Sequence, residues 1–189
     1  RNRILALAGG VGGARLAQGL AQVLASEELT IVVNTGDDFT HLGLHISPDL
    51  DTVMYTLAGM NDPQKGWGIA NESWNFMENL ARLGGETWFQ LGDRDLATNV
   101  ERTRRLRDEQ GLSAVTEYLC RRLDVQHRIA PMSDDPVPTR VHTTDGVLAF
   151  QDYFVRRRAQ PTVVRLDCAG AGSARKAPSL RTCHETPAP

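Results

Sequence analysis

Acidic side chains decide what chemistry this sequence could do. Asp37 and Asp38 follow the apolar run Ile31-Val32-Val33, and Asp49 and Asp51 come shortly after, in Ser47-Pro48-Asp49-Leu50-Asp51-Thr52. Carboxylates grouped in loops behind one buried strand repel one another unless a cation or a donor neutralises them. Mg²⁺ is the economical cation, because it takes carboxylate and phosphate oxygens together. Loops beyond the carboxyl ends of parallel strands are also where open α/β sheets bind ligands. A second cluster, Gly92-Asp93-Arg94-Asp95, has two readings. It is a surface ion network of small worth, or Arg94 clamps a phosphate or hydroxyl that a neighbouring Asp orients. A third cluster, Asp134-Asp135, lies between Pro131 and Pro136, which hold its loop rigidly. His41 and His45 fall inside the first acidic stretch and could act as acid–base groups where geometry supports it. His142 reads as a strand surface residue.

Glycines supply the other chemical signal. Gly9-Gly10-Val11-Gly12-Gly13-Ala14-Arg15 follows a short apolar strand at residues 4–8 and opens a helix at residues 14–24. Gly10, Gly12 and Gly13 would let the backbone approach a ligand, and a helix N-terminus offers N–H groups to an anion. The alternative is a tight turn that packs helix on strand. A dinucleotide fingerprint would need a third glycine where Arg15 stands and an acid where Asn34 stands. No GxxxxGK[ST] occurs, so this is not a P-loop.

The positioning elements follow from pattern. Strand, glycine turn, helix and strand make a βαβ unit with parallel strands. Leu16, Leu20, Val23 and Leu24 fall on one face of the first helix. Residues 52–57 start a helix capped by Asp51 or Thr52. Residues 71–83 are helical, with Trp74 on their apolar face. Trp67, Trp74 and Trp88 read as core and lid packing, or as a wall for a planar ring. A basic helix carrying Arg102, Arg104, Arg105 and Arg107 reads as a solvated face. Residues 113–123 form an amphipathic helix capped by Ser113, with Cys120 buried, and residues 125–129 a strand. Asp145-Gly146 joins a hairpin of residues 139–143 and 147–150. The expected fold is therefore α/β, mainly parallel, with flanking helices and an added β-hairpin.

Composition narrows the class. The 189 residues are 41% hydrophobic and 23% charged, which excludes a disordered chain. A formal net charge of -2 supplies no global field for nucleic acid. No run approaches the roughly 18 apolar residues of a membrane span. The opening Arg1-Asn2-Arg3 and the apolar residues after it are too short for a signal peptide. Cys120, Cys168 and Cys183 show no metal-ligand spacing, which points to a reducing cytoplasm.

Six segments, AGGVGGARL from Ala8, VVNTGDD from Val32, ISPDLDTVMY from Ile46, LGDRDLAT from Leu91, PMSDDPV from Pro131 and FQDYFV from Phe150, together resemble the 2-phospho-L-lactate transferase family of coenzyme F420 biosynthesis. The segment from Trp67 to Trp74, WGIANESW, resembles its bacterial branch. The resemblance implies a Rossmann-like nucleotide-binding core. It implies a reaction in which the terminal ribityl hydroxyl of the deazaflavin Fo attacks a phosphorus of guanosine diphospho-lactate, or of its enolpyruvoyl analogue, and GMP leaves. Carried onto this chain, the metal carboxylates fall on Asp37 and Asp51, holding Mg²⁺, and the Fo contacts on Asp51 and Arg94. Asp51 is then a candidate to accept the hydroxyl proton, Gly10, Gly12 and Gly13 lie along the substrate, and Asp134 and Asp135 shape the nearby wall. A homodimer is the expected full-length assembly, with no nucleic-acid or membrane partner.

The chain departs from the family beyond residue 165. The family continues further and carries a Pro-Ser-Asn-Pro loop for the guanosine nucleotide. Here residues 166–189 are small, Pro-rich and Arg-rich, and read as a disordered or aberrant tail of a truncated core spanning residues 1–165. Two alternatives remain. One is a non-catalytic nucleotide-sugar-binding regulator resembling gluconeogenesis-factor relatives. The other is a nicotinamide-dependent oxidoreductase, which Arg15 and Asn34 disfavour.

Overall fold

A computed structural model describes residues 3–178. The chain opens with β1 (Ile4–Ala8), α1 (Gly10–Val23) and β2 (Leu29–Val33). The two strands pair in parallel from Ile4↔Leu29 to Ala8↔Val33. On its other edge β2 pairs in parallel with β5 (Arg128–Pro131), from Thr30↔Arg128 to Val33↔Pro131. The order β1-β2-β5 leaves β2 central. Its Ile31 and Val33 are fully buried. A strand covered on both faces needs no polar alternation, and that explains the continuous β-branched run.

Most of the elements that build the site are inserted between β2 and β5. A hairpin of β3 (Phe39–His41) and β4 (Leu44–Ile46) comes first, then α2 (Pro48–Leu57), α3 (Asn75–Arg82), α4 (Asp93–Arg107) and α5 (Leu112–Arg122). After β5, β6 (Thr139–Thr143) and β7 (Gly146–Ala149) form the expected hairpin, and a π-helical turn, Asp152–Arg156, leads to β8 (Val163–Cys168). These strands make a separate, antiparallel sheet in the order β7-β6-β8. The parallel α/β core with flanking helices and an added hairpin is thus the observed architecture.

Some boundaries differ for local reasons. The strand expected at residues 125–129 begins at Arg128. Val125 N–H still closes α5 by donating to the Cys120 carbonyl, 3.0 Å, and Asp124 takes a left-handed φ of 57°. The tail expected from residue 166 is partly structured: β8 runs across that boundary because the edge of β6 offers it a partner. Further on, the Ser133 hydroxyl donates to the Arg175 carbonyl and Ala177 is fully buried. The rest of that expectation, residues 179–189, lies outside the described residues. On α1, Ala14 and Ala17 turn inward, whereas Leu16 and Val23 are exposed. The close seating of α1 explains the choice: a Cβ on Gly13 would meet the Ala8 backbone at 2.9 Å, so only small residues fit that face.

Candidate functional site

Helix α2 is the centre of the site. Every residue from Asp49 to Thr56 is buried, including polar ones that an ordinary surface helix would turn outward. A polar helix can be buried only if its groups find partners, and each does so differently.

Asp49 joins the first two βα loops. Its Oδ1 accepts from Gly10 N–H and its Oδ2 from Asn34 Nδ2, both at 2.9 Å, while Asn34 Oδ1 accepts from Gly36 N–H at 3.0 Å. The free N–H expected at the glycine turn is therefore already occupied at Gly10, whose φ of 57° aims it at Asp49. Gly13 serves the packing described above. A Cβ on Gly12 would meet nothing within 4 Å. Of the three glycines, Gly10 alone borders the cavity described below.

Asp51 is held by Arg102. The guanidinium donates through both terminal nitrogens to the two carboxylate oxygens, one contact being 3.1 Å, and also to Asn99 Oδ1 at 2.8 Å. Arg102 is 1% exposed, so the solvated face expected for this helix does not extend to it. Burial alone would lower the guanidinium's pKa, but Asp51 beside it raises it. Burial likewise pushes the Asp51 carboxyl up, and Arg102 opposes the rise. One turn further along α2, the Tyr55 hydroxyl donates to Asp95 Oδ1 at 2.7 Å. Burial, then the Asp51 charge, pushes the Asp95 carboxyl to about 7.

A cavity of about 540 Å³ opens along this face of α2. Its lining includes Asp37, Asp49, Asp51, Tyr55 and Asp95 and the rings of Trp67, Trp88, Phe89, Phe150 and Phe154. A neighbouring cavity of about 480 Å³ shares Asp37, Phe150 and Gln151 with it and is bordered by Asp38, His45 and Asp134. Asp37 thus stands on the wall between the two. Its carboxyl is raised to about 6, by burial first and then by the Asp49 and Asp38 charges. Asp38 is tied down through Oδ2, which accepts from the Ser47 hydroxyl at 2.8 Å and lies 3.2 Å from His45 Nε2. Its Oδ1 is buried with no partner among the described residues.

The other expected residues are placed as follows. Arg94 is exposed and borders neither cavity; its Nη1 donates to the Ala70 carbonyl at 2.9 Å. The structure therefore does not bring Arg94 to Asp51. Its cluster works mainly as reciprocal capping. Asp93 accepts from Ser73, Asn75 and Phe76 at the start of α3, and Glu72 accepts from the N–H groups of Arg94 and Asp95 at the start of α4. Asp134 caps α5, accepting from both N–H and hydroxyl of Ser113. Ser113 is thus the capped residue rather than the cap. His41 is buried against Phe39, Trp88 and Phe89, and burial lowers its pKa.

Asp95, Asn99 and Arg102 were missed as a group. A signal existed: they recur at i, i+4 and i+7, a polar stripe of helical period along one face of the helix.

Do these residues fit a hard divalent ion? A carboxyl crowded by two like charges and raised to about 6 is the kind of group that a cation relieves. Among the described residues, no group of three or more His, Cys, Asp and Glu side chains converges closely enough to hold a metal ion alone. Mg²⁺ does not need such a cage, because it is usually held by one or two carboxylates, substrate phosphates and water. The donor set fits on those terms.

Comparison with known proteins gives a consistent pattern. A match to the family described as 2-phospho-L-lactate transferase CofD covers residues 4–182. The chain is 46% identical over 183 residues to a protein named phosphoenolpyruvate transferase from Streptomyces griseus, covering 94% of this chain and 58% of that protein. A Thermobifida fusca protein of the same name is 43% identical over 191 residues, covering 94% of this chain and 59% of that one. The chain thus spans somewhat under three-fifths of the length of these relatives. Among solved structures, a Bacillus halodurans member of the UPF0052 family aligns over 95% of this chain and 54% of its own, with a TM-score of 0.58 at 14% identity. That last likeness speaks for the fold alone.

Proposed function

The chain belongs to the 2-phospho-L-lactate transferase family, and on that footing we propose that it carries the acceptor and metal side of a transferase site in F420 biosynthesis. The reaction is transfer of a phospholactyl or phosphoenolpyruvyl group from a guanosine diphosphate-linked donor to the terminal hydroxyl of the deazaflavin Fo, with release of GMP. The names of the relatives, phosphoenolpyruvate transferases, favour the enolpyruvoyl donor.

One observation carries this reading: a single cavity is lined by both carboxylates and aromatic rings. The aromatic lining, with Trp88, Phe89, Phe150 and Phe154, suits a flat tricyclic ring, since such faces pack with offset or edge contacts. The acidic lining suits an ion that carries a diphosphate. Asp37 is the first carboxylate for Mg²⁺, with Asp49 beside it. Asp51, expected to share that ion, lines the same cavity while its two oxygens accept from Arg102. Bound there, Mg²⁺ would neutralise phosphate charge as the leaving group departs. The protein's own part is positioning: the glycine turn and Asn34 fix Asp49, and the ring wall orients the acceptor. A homodimer and a cytoplasmic site of action remain part of the proposal.

GMP release, followed chromatographically with Fo, Mg²⁺ and the enolpyruvoyl donor, tests it. GMP formed only when Fo and Mg²⁺ are both present supports the reading. A chain that binds Fo in no condition, or that hydrolyses donor equally without Fo, contradicts it.

A further inference from the structure

An alcohol that attacks phosphorus must lose its proton, and the cavity offers a limited set of carboxylates to take it. Asp49 is committed through both oxygens, to Gly10 N–H and Asn34 Nδ2. Asp51 is committed through both oxygens to Arg102. A carboxylate held by a guanidinium fork is a poor base, since protonating it strands a buried cation. Asp37, crowded by the Asp49 and Asp38 charges, is the carboxylate assigned above to the ion that meets the donor's phosphates.

Asp95 differs from all three. Its Oδ1 takes the Tyr55 hydroxyl, and no hydrogen bond to its Oδ2 forms among the described residues. Among the described residues no ion pair to it forms. Its backbone is fixed in the first turn of α4, where its N–H donates to Glu72 Oε2 at 3.1 Å. Tyr55 is likewise fixed on the buried helix α2. Asp95 also borders a side chamber of about 280 Å³ with Lys65, Trp67, Trp74 and Gln90, so it stands where two spaces meet.

We propose that Asp95, rather than Asp51, accepts the proton from the attacking hydroxyl through its Oδ2. The proposal rests on the transferase reading above. In the step, the acceptor's oxygen forms a bond to the phosphorus that bears the lactyl or enolpyruvyl group. The bond from that phosphorus to the bridging oxygen breaks, and its electron pair leaves on GMP. The hydroxyl proton passes to Asp95 and then to solvent by way of the side chamber, which restores the carboxylate.

The surroundings suit the task. A general base works best with a pKa near the operating pH, and Asp95 is raised to about 7. Burial acts first, then Asp51 from α2; Tyr55 from α2 and Arg102 from two turns along α4 pull the other way, and Glu72 from the loop before α3 adds a further push. Asp62 and Lys65 face the same side chamber. Tyr55 thus both holds the carboxylate in place and favours its ionised form.

Two variants of the chain test this, each read by GMP release against pH and by Fo fluorescence titration. Asp95→Asn keeps an oxygen for the Tyr55 hydroxyl. It should lower kcat by about 10²–10⁴-fold, remove the acid limb of the kcat–pH profile, and leave Fo affinity within about threefold. Tyr55→Phe should keep the limb but move it to higher pH, which a merely structural role would not do. Three results would overturn the assignment: Asp95→Asn turning over within about fivefold of the parent chain, Asp95→Asn losing Fo affinity in step with kcat, or an acid limb unmoved by Tyr55→Phe. If the parent chain itself releases no GMP, the transferase reading fails and takes this inference with it. If the parent turns over and the variants match it, the inference alone fails.

Discussion

Replacing Arg102 with Met should cost the protein more than any exposed arginine could. The guanidinium is 1% exposed and its partner Asp51 is also buried. Removing it leaves a carboxylate in the core with no cation, a loss of about 3–5 kcal/mol when one member of a buried pair is deleted. That is a large share of the ~5–15 kcal/mol that holds a domain together. With a urea slope of about 2–3 kcal/mol/M, the unfolding midpoint should fall by roughly 1–2 M at pH 7.5. The loss must also depend on pH, and its sign follows from burial. Without Arg102, the folded-state pKa of Asp51 lies well above its unfolded value. The cost then grows as pH rises from the unfolded pKa through the folded one, and it shrinks on acidification as Asp51 is protonated. Asp51→Asn combined with Arg102→Met should be milder than the sum of the two single changes, because both charges are gone. Urea titrations at pH 5 and 7.5 on the three variants decide the matter. A loss below about 1 kcal/mol at pH 7.5, or one equal at both pH values, would refute the idea of a desolvated pair at the centre of the site.

Other expected outcomes follow from the same geometry. Asp37 is raised from 3.8 to about 6, so its ionisation costs stability that sets in as pH climbs through that window and is absent below it. The full shift at 1.36 kcal/mol per pKa unit, discounted because the group is partly solvated, leaves on the order of 1–2 kcal/mol. Asp37→Asn should therefore melt higher than the parent chain at pH 7.5 without Mg²⁺ and match it near pH 4; added Mg²⁺ should raise the melting temperature of the parent only. Gly13→Ala would press a methyl against the Ala8 backbone at 2.9 Å and should cost about 1–3 kcal/mol, whereas Gly12→Ala meets nothing and should be neutral or slightly stabilising, both read by thermal unfolding.

Much of the scaffold could be read from pattern. The β-branched run of β2, the glycine turn and the Asp145-Gly146 hairpin each carry a local signal that no tertiary contact had to override. The core face of α1 could not be read so simply. Leucines usually mark the buried stripe, yet here the helix approaches the sheet so closely that alanines occupy it. At the site, residue types and neighbourhoods were legible and partnerships were not. Sequence brings Asp37 and Asp51 to one cavity wall, but it does not say that Arg102, 51 positions away, holds Asp51. In LGDRDLAT the sequence points to Arg94 as a clamp, with a neighbouring Asp only orienting what it holds. Helical geometry separates them, turning Asp95 toward α2 and Arg94 toward the loop at Ala70. Asp134 borders the neighbouring cavity, but nothing in its spacing says that its carboxylate also caps a helix distant in sequence. Long-range pairing of this kind leaves no trace in spacing.

In the proposed reaction Asp37, with Asp49 beside it, receives the ion that brings a guanosine diphosphate group into the cavity along α2. Crystals grown with GDP and Mn²⁺, the latter standing in for Mg²⁺, would show the ion directly by its anomalous scattering. The expected result is a peak within coordination distance of an Asp37 carboxylate oxygen and of a GDP phosphate oxygen. A nucleotide bound with its phosphates elsewhere, or an Mn²⁺ peak that leaves Asp37 untouched, would contradict it.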